Sequence, residues 1–181
     1  SSIINLFYGQ LVTHISAVED KNIHSYNYSP ICIFSIPIPD TEKSDLYDCF
    51  DLFTKSQRLD GENKWKNDDD KCYYDADKNL MIWKFPKILI LHFKRFNNDG
   101  SKKENFIDIP IDTIDMTKYC IGYDKFKSYY TLFGVCNHTG TNRSGHYYSY
   151  CKNRNNDEWY EFNDTNVKSI KKEHIITKNA Y

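Results

Sequence analysis

No hydrophobic run in this sequence is long enough to cross a bilayer. The longest aliphatic stretch is Ile88-Leu89-Ile90-Leu91, against the roughly 20 apolar residues a transmembrane helix needs. Neither sign of charge is in excess. Twenty-four Lys and Arg stand against 25 Asp and Glu, a formal net charge of -1, which excludes the basic field of a non-specific nucleic-acid binder. The six cysteines (32, 49, 72, 120, 136 and 151) include no C-x-x-C pair, so no zinc knuckle can be built from them. The opening residues, 1–9, lack the basic segment and long apolar stretch of a signal peptide, which points to an intracellular protein of the cytoplasm or nucleus. The chain begins without Met, as a fragment of a longer protein would.

What is present is aromatic. Fifteen Tyr, 11 Phe and 3 Trp offset a shortage of aliphatics and predict a folded chain, and 181 residues suffice for one domain or two small lobes sharing a core. Four of the six cysteines sit in apolar or aromatic surroundings, as in Ile31-Cys32-Ile33 and Tyr150-Cys151, which favours free thiols in a reducing compartment over disulfides. The N-x-[ST] triplets at Asn27, Asn137, Asn142 and Asn163 are then chance matches to a glycan acceptor.

The patterns predict mainly strands. Residues 3–15 are apolar and β-prone with a break at Gly9, and residues 31–38 alternate, with a shift between Ile33 and Phe34. Leu46, Cys49, Phe50 and Phe53 form a helical stripe behind Ser44 or Asp45 as N-cap. Residues 54–79, with Asp68-Asp69-Asp70, read as a solvated loop or hairpin tip. A strand is expected over 80–96 across Pro86, central in its sheet because 88–91 is apolar on both faces. Asn98-Asp99-Gly100 marks a turn, residues 106–110 a short strand ended by proline, and 111–128 a linker rich in Asp and Lys. Strands are then expected over 129–136, 145–151 and 158–162, with one short helix in 167–180.

The last hairpin carries a geometric expectation. If strands 145–151 and 158–163 pair so that Cys151 faces Glu158, His146 faces Asn163, with Cβ atoms about 4.5–5.5 Å apart. An amide oxygen at that distance holds an imidazole in one tautomer and one plane, as a catalytic histidine requires. Trp159 and Glu161 share the Asn163 face. Gly145 leaves the backbone open beside His146, next to a polar loop, 139–144. The natural partner of a His/Asn pair is a thiol. Cys151 is on the opposite strand face at roughly 17 Å by strand rise. Cys136 is a mid-strand thiol without an activating turn, and Cys32, Cys49, Cys72 and Cys120 carry no catalytic mark. The chain holds a base without its nucleophile.

These residues resemble the ubiquitin-specific proteases, cysteine peptidases that cleave after the C-terminal glycine of ubiquitin. The segment 85–96, FPKILILHFKRF, is similar to a strand motif of that family, and GVCNHTGTNRSGHYYSY followed by WYEFNDTNV to its histidine box. Leu6-Phe7-Tyr8-Gly9-Gln10 resembles the segment that opens the family's fingers region. The resemblance implies an α+β, papain-like cysteine protease core, mainly antiparallel β with few helices and the thumb missing. Residues 1–84, including the helix near 45–54, would be fingers-like and 85–181 the palm. It implies His146 as general base, Asn163 as its orienting partner, Asp164 as a second acidic group, and Gly145, Tyr147 and His138 along the channel for the ubiquitin tail, with His138 in a loop overhanging the cleft. The family's cysteine box is absent. The family's fingertip zinc ribbon has lost its ligands: Ala17, Asp20, Asn67 and Asp70 stand in those places, so no metal or cofactor is called for. The expected partners are ubiquitin or ubiquitinated proteins and the missing half with the cysteine box, with no nucleic acid and no membrane. The alternative is a ubiquitin-binding module or pseudo-protease.

Overall fold

The structure is a computed structural model that describes residues 2–123, 126 and 128–181. Part of the Asp/Lys-rich linker therefore lies outside the described residues. The chain divides into two compact units interleaved along the sequence: residues 1–34, 53–90 and 115–128 form the first, and 35–52, 91–114 and 129–181 the second.

The first unit holds a four-stranded antiparallel sheet. Strands β1 (Gly9–Ala17), β2 (His24–Ile31), β3 (Gln57–Leu59) and β4 (Ala76–Lys84) lie in the order β2-β1-β4-β3. Val12, Ala17, Ala76 and Ile82 are buried along the central pair. Before the sheet, where a strand is expected, residues Ser2–Phe7 form a short helix, α1, with no buried residue. A brief apolar run carries no period that separates the two states. β1 begins at Gly9, where a methyl group would stand 2.5 Å from the Lys84 carbonyl oxygen. β2 has no apolar alternation to betray it, because every residue from His24 to Pro30 is exposed on the sheet edge.

The polar segment beyond β3 closes into a small hairpin, Trp65–Lys66 against Tyr73–Tyr74. Its turn is held by hydrogen bonds. The Asn67 amide donates to the Cys72 carbonyl at 2.9 Å, the Lys71 amide to the Asn67 carbonyl at 3.0 Å, and the Cys72 amide to the Asp70 carboxylate at 2.9 Å. The ribbon positions do not fit a metal. Ala17 offers no side-chain donor, Asp20 caps its own turn through the Asn22 amide, Asn67 Oδ1 accepts from the Asp69 amide at 3.2 Å, and Asp70 is engaged as above. Among the described residues no group of three or more His, Cys, Asp or Glu could hold an ion.

In the second unit, helix α2 (Leu46–Phe53) buries Leu46, Cys49 and Phe50. Its start is a reciprocal capping box: the Asp48 amide donates to the Asp45 carboxylate at 2.8 Å and the Asp45 amide to that of Asp48 at 2.9 Å. This helix, grouped with residues 1–84 by the sequence, contributes residues 46–52 to the second unit. The apolar run 88–91 does not form a central strand. β4 ends at Lys84 before Pro86, and a short strand resumes only at Ile90–Phe93, in a two-stranded ladder with partly exposed residues. Proline lacks the donor that a continuous ladder needs.

The main sheet of this unit is a meander of four antiparallel strands, β5 (Gly134–Gly140), β6 (Gly145–Lys152), β7 (Trp159–Asn163) and β8 (Asn166–Ile170). Val135, Tyr150 and Trp159 pack on one face with Ile175 and Ala180 from the tail. Where a single short helix is expected in 167–180, β8 occupies 166–170 and only one 3₁₀ turn follows, Lys172–His174. The last residues run along β5: the His138 amide donates to the Asn179 carbonyl and the Tyr181 amide to the Cys136 carbonyl, both at 2.9 Å. Arg95, fully buried, ties down the same tail. Its Nε donates to the Ala180 carbonyl at 2.6 Å and its Nη1 to those of Lys103 and Asn105.

Candidate active site

β6 and β7 pair with Ser149 opposite Phe162 and Cys151 opposite Tyr160. The expected register, Cys151 against Glu158, is therefore off by two residues. The connecting loop has the expected length but sits one position later: β6 continues through Lys152, and residues 153–158 close the turn through Asn153 and Asp157, the latter at φ 58°. A slip of two preserves the face on which each side chain stands. His146 and Asn163 thus meet as diagonal neighbours, with His146 Nε2 2.7 Å from Asn163 Oδ1.

The hydrogen-bond chemistry orients this pair. Asn163 Nδ2 lies 3.5 Å from Glu161 Oε1, and a carboxylate only accepts, so the amide turns its oxygen toward the imidazole. The imidazole must then carry its proton on Nε2, leaving Nδ1 with an open lone pair. Asp164 follows in the two-residue turn to β8 at φ 51°, a left-handed conformation that Asp tolerates, with its carboxylate 4.0 Å from His146 Nε2. The His146 side chain is 45% exposed, open to a substrate.

β5 pairs with β6 through Thr139 opposite His146, His138 opposite Tyr147 and Cys136 opposite Ser149. Cys136 and Cys151 therefore share the face opposite to that of His146, and burial raises the Cys136 thiol further. Cys49, the remaining cysteine of this unit, is fully buried and pushed up to about 12, chiefly by burial. No thiol of the second unit stands ready to meet Nδ1. All six thiols are free.

Gly145 and Tyr147 flank His146, and Tyr147 is 55% exposed. His138 is placed differently from its expected position in an overhanging loop. It sits within β5 and is 3% exposed, its ring 4.5 Å from that of Tyr147, 5.5 Å from Tyr181 and 5.7 Å from Phe96. Its pKa is lowered by burial and then by the Lys102 ammonium. Gly145 is glycine for a steric reason, since a methyl group there would lie 2.2 Å from His138 Nε2 and 2.4 Å from the Thr139 carbonyl oxygen. Lys102 and Tyr181, which hold this histidine, carried no signal in the sequence, being one of two adjacent lysines in a polar stretch and the last residue.

An α+β chain of mainly antiparallel strands, with an imidazole aimed by an amide at the start of a strand, has the fold of a papain-like cysteine peptidase. The family model "Ubiquitin carboxyl-terminal hydrolase" matches residues 1–181, and the chain belongs to that family. It is 35% identical to Ubiquitin carboxyl-terminal hydrolase 2 of Gallus gallus over 186 residues, covering all of this chain and 52% of that protein. A viral relative, the probable ubiquitin carboxyl-terminal hydrolase R319 of Acanthamoeba polyphaga mimivirus, is 35% identical over 152 residues, 81% of this chain and 32% of the relative. Among solved structures, the SAGA Ubp8/Sgf11/Sus1/Sgf73 DUB module bound to ubiquitin aldehyde superposes with a TM-score of 0.81 at 31% identity, covering 98% of this chain and 40% of that one. A second structure of the module, bound to monoubiquitin, gives 0.82 at 32% identity with the same coverage. The chain spans about half the length of the first of these relatives and less of the others.

Proposed function

We propose that this chain is the base-bearing part of a deubiquitinating thiol hydrolase, acting on ubiquitin or ubiquitinated proteins inside the cell. The observation that carries the reading is the His146 Nε2 contact to Asn163 Oδ1 at 2.7 Å, which leaves Nδ1 free to take a proton. A cysteine from a segment outside these residues gives its proton to Nδ1, and its thiolate attacks the carbonyl of ubiquitin's last glycine. His146 then returns the proton to the leaving lysine amine as the C–N bond breaks. It next takes a proton from the water that releases the acyl group, and the thiol is restored. Asn163 holds the ring, and the Asp164 carboxylate, 4.0 Å from Nε2, is a second acidic group beside it. Gly145 and Tyr147 line the channel for the ubiquitin tail, with His138 acting beneath them. In this reading the first unit contains the fingers and the second the palm.

A second reading, a ubiquitin-binding module without hydrolysis, is favoured by one fact: neither Cys136 nor Cys151 shares the His146 face. A fluorogenic ubiquitin C-terminal amide, assayed with the chain alone and with the cysteine-bearing segment supplied in one polypeptide or by co-expression, separates the two. Turnover only with the added segment supports the hydrolase. Ubiquitin binding with no turnover in either case supports the module.

A further inference from the structure

Beneath the turn that presents His146 lies a charged contact that the chemistry above does not use. Lys102 Nζ donates to the carbonyl oxygen of His138 at 2.6 Å and sits 3.3 Å from the same residue's Nδ1. An ammonium has no lone pair to offer, so Nδ1 is the acceptor and the proton of the neutral ring is on Nε2. That Nε2 edge is the one pressed against Gly145, the residue directly before His146. Three aromatic rings pack around the His138 ring, those of Tyr147, Tyr181 and Phe96. Lys102 is itself set, with Nζ 5.9 Å from the centre of the Phe96 ring and its backbone bridged to Phe96. The same hairpin braces the turn a second time. Gly100, at φ 83°, leaves room for the Asn142 amide, which would stand 2.9 Å from any Cβ at that position.

We propose that Lys102 is a positioning residue for His146: by gripping both the carbonyl and Nδ1 of His138 it wedges that ring under Gly145 and fixes the backbone from which the imidazole reaches Asn163. The inference rests on the reading of His146 as the general base. Removing the ammonium frees the His138 ring to rotate or change tautomer. Gly145, with no Cβ of its own, then loses the ring its backbone packs against and keeps only its contacts with β5. The amide–imidazole contact is narrow in its geometry, and a displacement of about 1 Å in a reacting group can cost on the order of a hundredfold in rate.

The test is nitrogen NMR of the histidine rings in this chain, unmodified and as Lys102→Met, which keeps the length of the side chain and deletes the donor. In the unmodified chain His138 should show a protonated Nε2 and an unprotonated Nδ1, and His146 a hydrogen-bonded Nε2–H. In Lys102→Met, with amide spectra unchanged around Val135 and Trp159, His138 should populate both tautomers and the His146 Nε2–H signal should move toward that of a free imidazole. In the hydrolytically competent protein the same substitution should lower kcat about tenfold while KM changes less than twofold. A folded Lys102→Met with an unaltered His146 signal overturns the proposal. So does an Nδ1–H tautomer of His138 in the unmodified chain, whatever the variant does. Failure of the unmodified, complemented protein to hydrolyse the ubiquitin amide would instead overturn the reading of His146 as base, leaving the ring signals to decide whether the grip exists.

Discussion

His146 Nε2 and Asn163 Oδ1 lie 2.7 Å apart across a diagonal of the β6–β7 ladder, with Glu161 behind the amide to set its direction. Because the contact joins an acceptor oxygen to a ring N–H, its removal should loosen the ring without removing the base. In the complemented enzyme, His146→Ala should lower kcat by roughly 10²–10⁴-fold, whereas Asn163→Ala should cost about 10²-fold through misorientation. Ubiquitin binding, measured by titration calorimetry, should be largely kept in both. Joint loss of binding and turnover in His146→Ala would reveal a folding role.

The isolated chain should neither hydrolyse a ubiquitin amide nor be labelled by an electrophilic ubiquitin probe. The covalent step needs a thiolate beside Nδ1, and Cys136 and Cys151 face away while Cys49 is buried and held protonated to about pH 12. Mass spectrometry of probe-treated chain is the measurement. An adduct at Cys136 would mean that the β5–β6 register differs from the one described.

The sequence disclosed the His146–Asn163 pair for a reason of parity. Slipping a β-ladder by two residues changes partners but not faces, so the contact survives a loop placed one position too early, whereas a slip of one would have put the pair on opposite faces. The helix at 46–53 was legible because its stripe and its Asp45 cap agree. The edge strand at 24–31 was not, since neither of its faces is buried and alternation is a record of burial. His138 was misplaced into a loop because its burial depends on Lys102, Phe96 and Tyr181, partners 36 or more residues away along the chain, and no local pattern encodes such a contact.

Stability should rise with pH between about 5 and 7. His14, His92 and His138 all have lowered pKa values, in each case mainly from burial, with His24 and Lys21, Lys94 and Lys102 respectively adding repulsion. In the unfolded chain each takes up a proton near pH 6.5, while the folded state resists it. The unfolded state therefore binds more protons in this window, and stability is lost as pH falls through it. Carboxylates with lowered pKa values, such as Asp77 and Asp99, act in the same direction only at lower pH, below about 4. Urea midpoints measured from pH 7.5 to 5 should fall in the unmodified chain. The decline should be shallower in His138→Phe, and an equal slope would show that His138 titrates alike in both states.

In the hairpin Trp65–Lys66/Tyr73–Tyr74, hydrogen bonds hold the turn that carries Asn67 and Asp70, and the tyrosine there reports on them. Tyr74 donates to the Asp70 carboxylate at 2.7 Å, which pushes the phenol up to about 12 and holds Asp70 below the usual carboxylate range, where the Cys72 amide is the larger cause. Asp70→Asn keeps an acceptor for the amide and removes the charge that opposes phenolate formation. Tyr74 should then titrate near the ordinary value of about 10, followed by absorbance at alkaline pH against a Tyr74→Phe control. Chelator should leave the melting temperature and this titration unchanged, because Ala17 offers no ligand and Asn67 and Asp70 already satisfy backbone amides. A melting temperature lowered by chelator and restored by zinc would show that the turn is held by an ion after all, and that the Asp70 contacts are secondary to it.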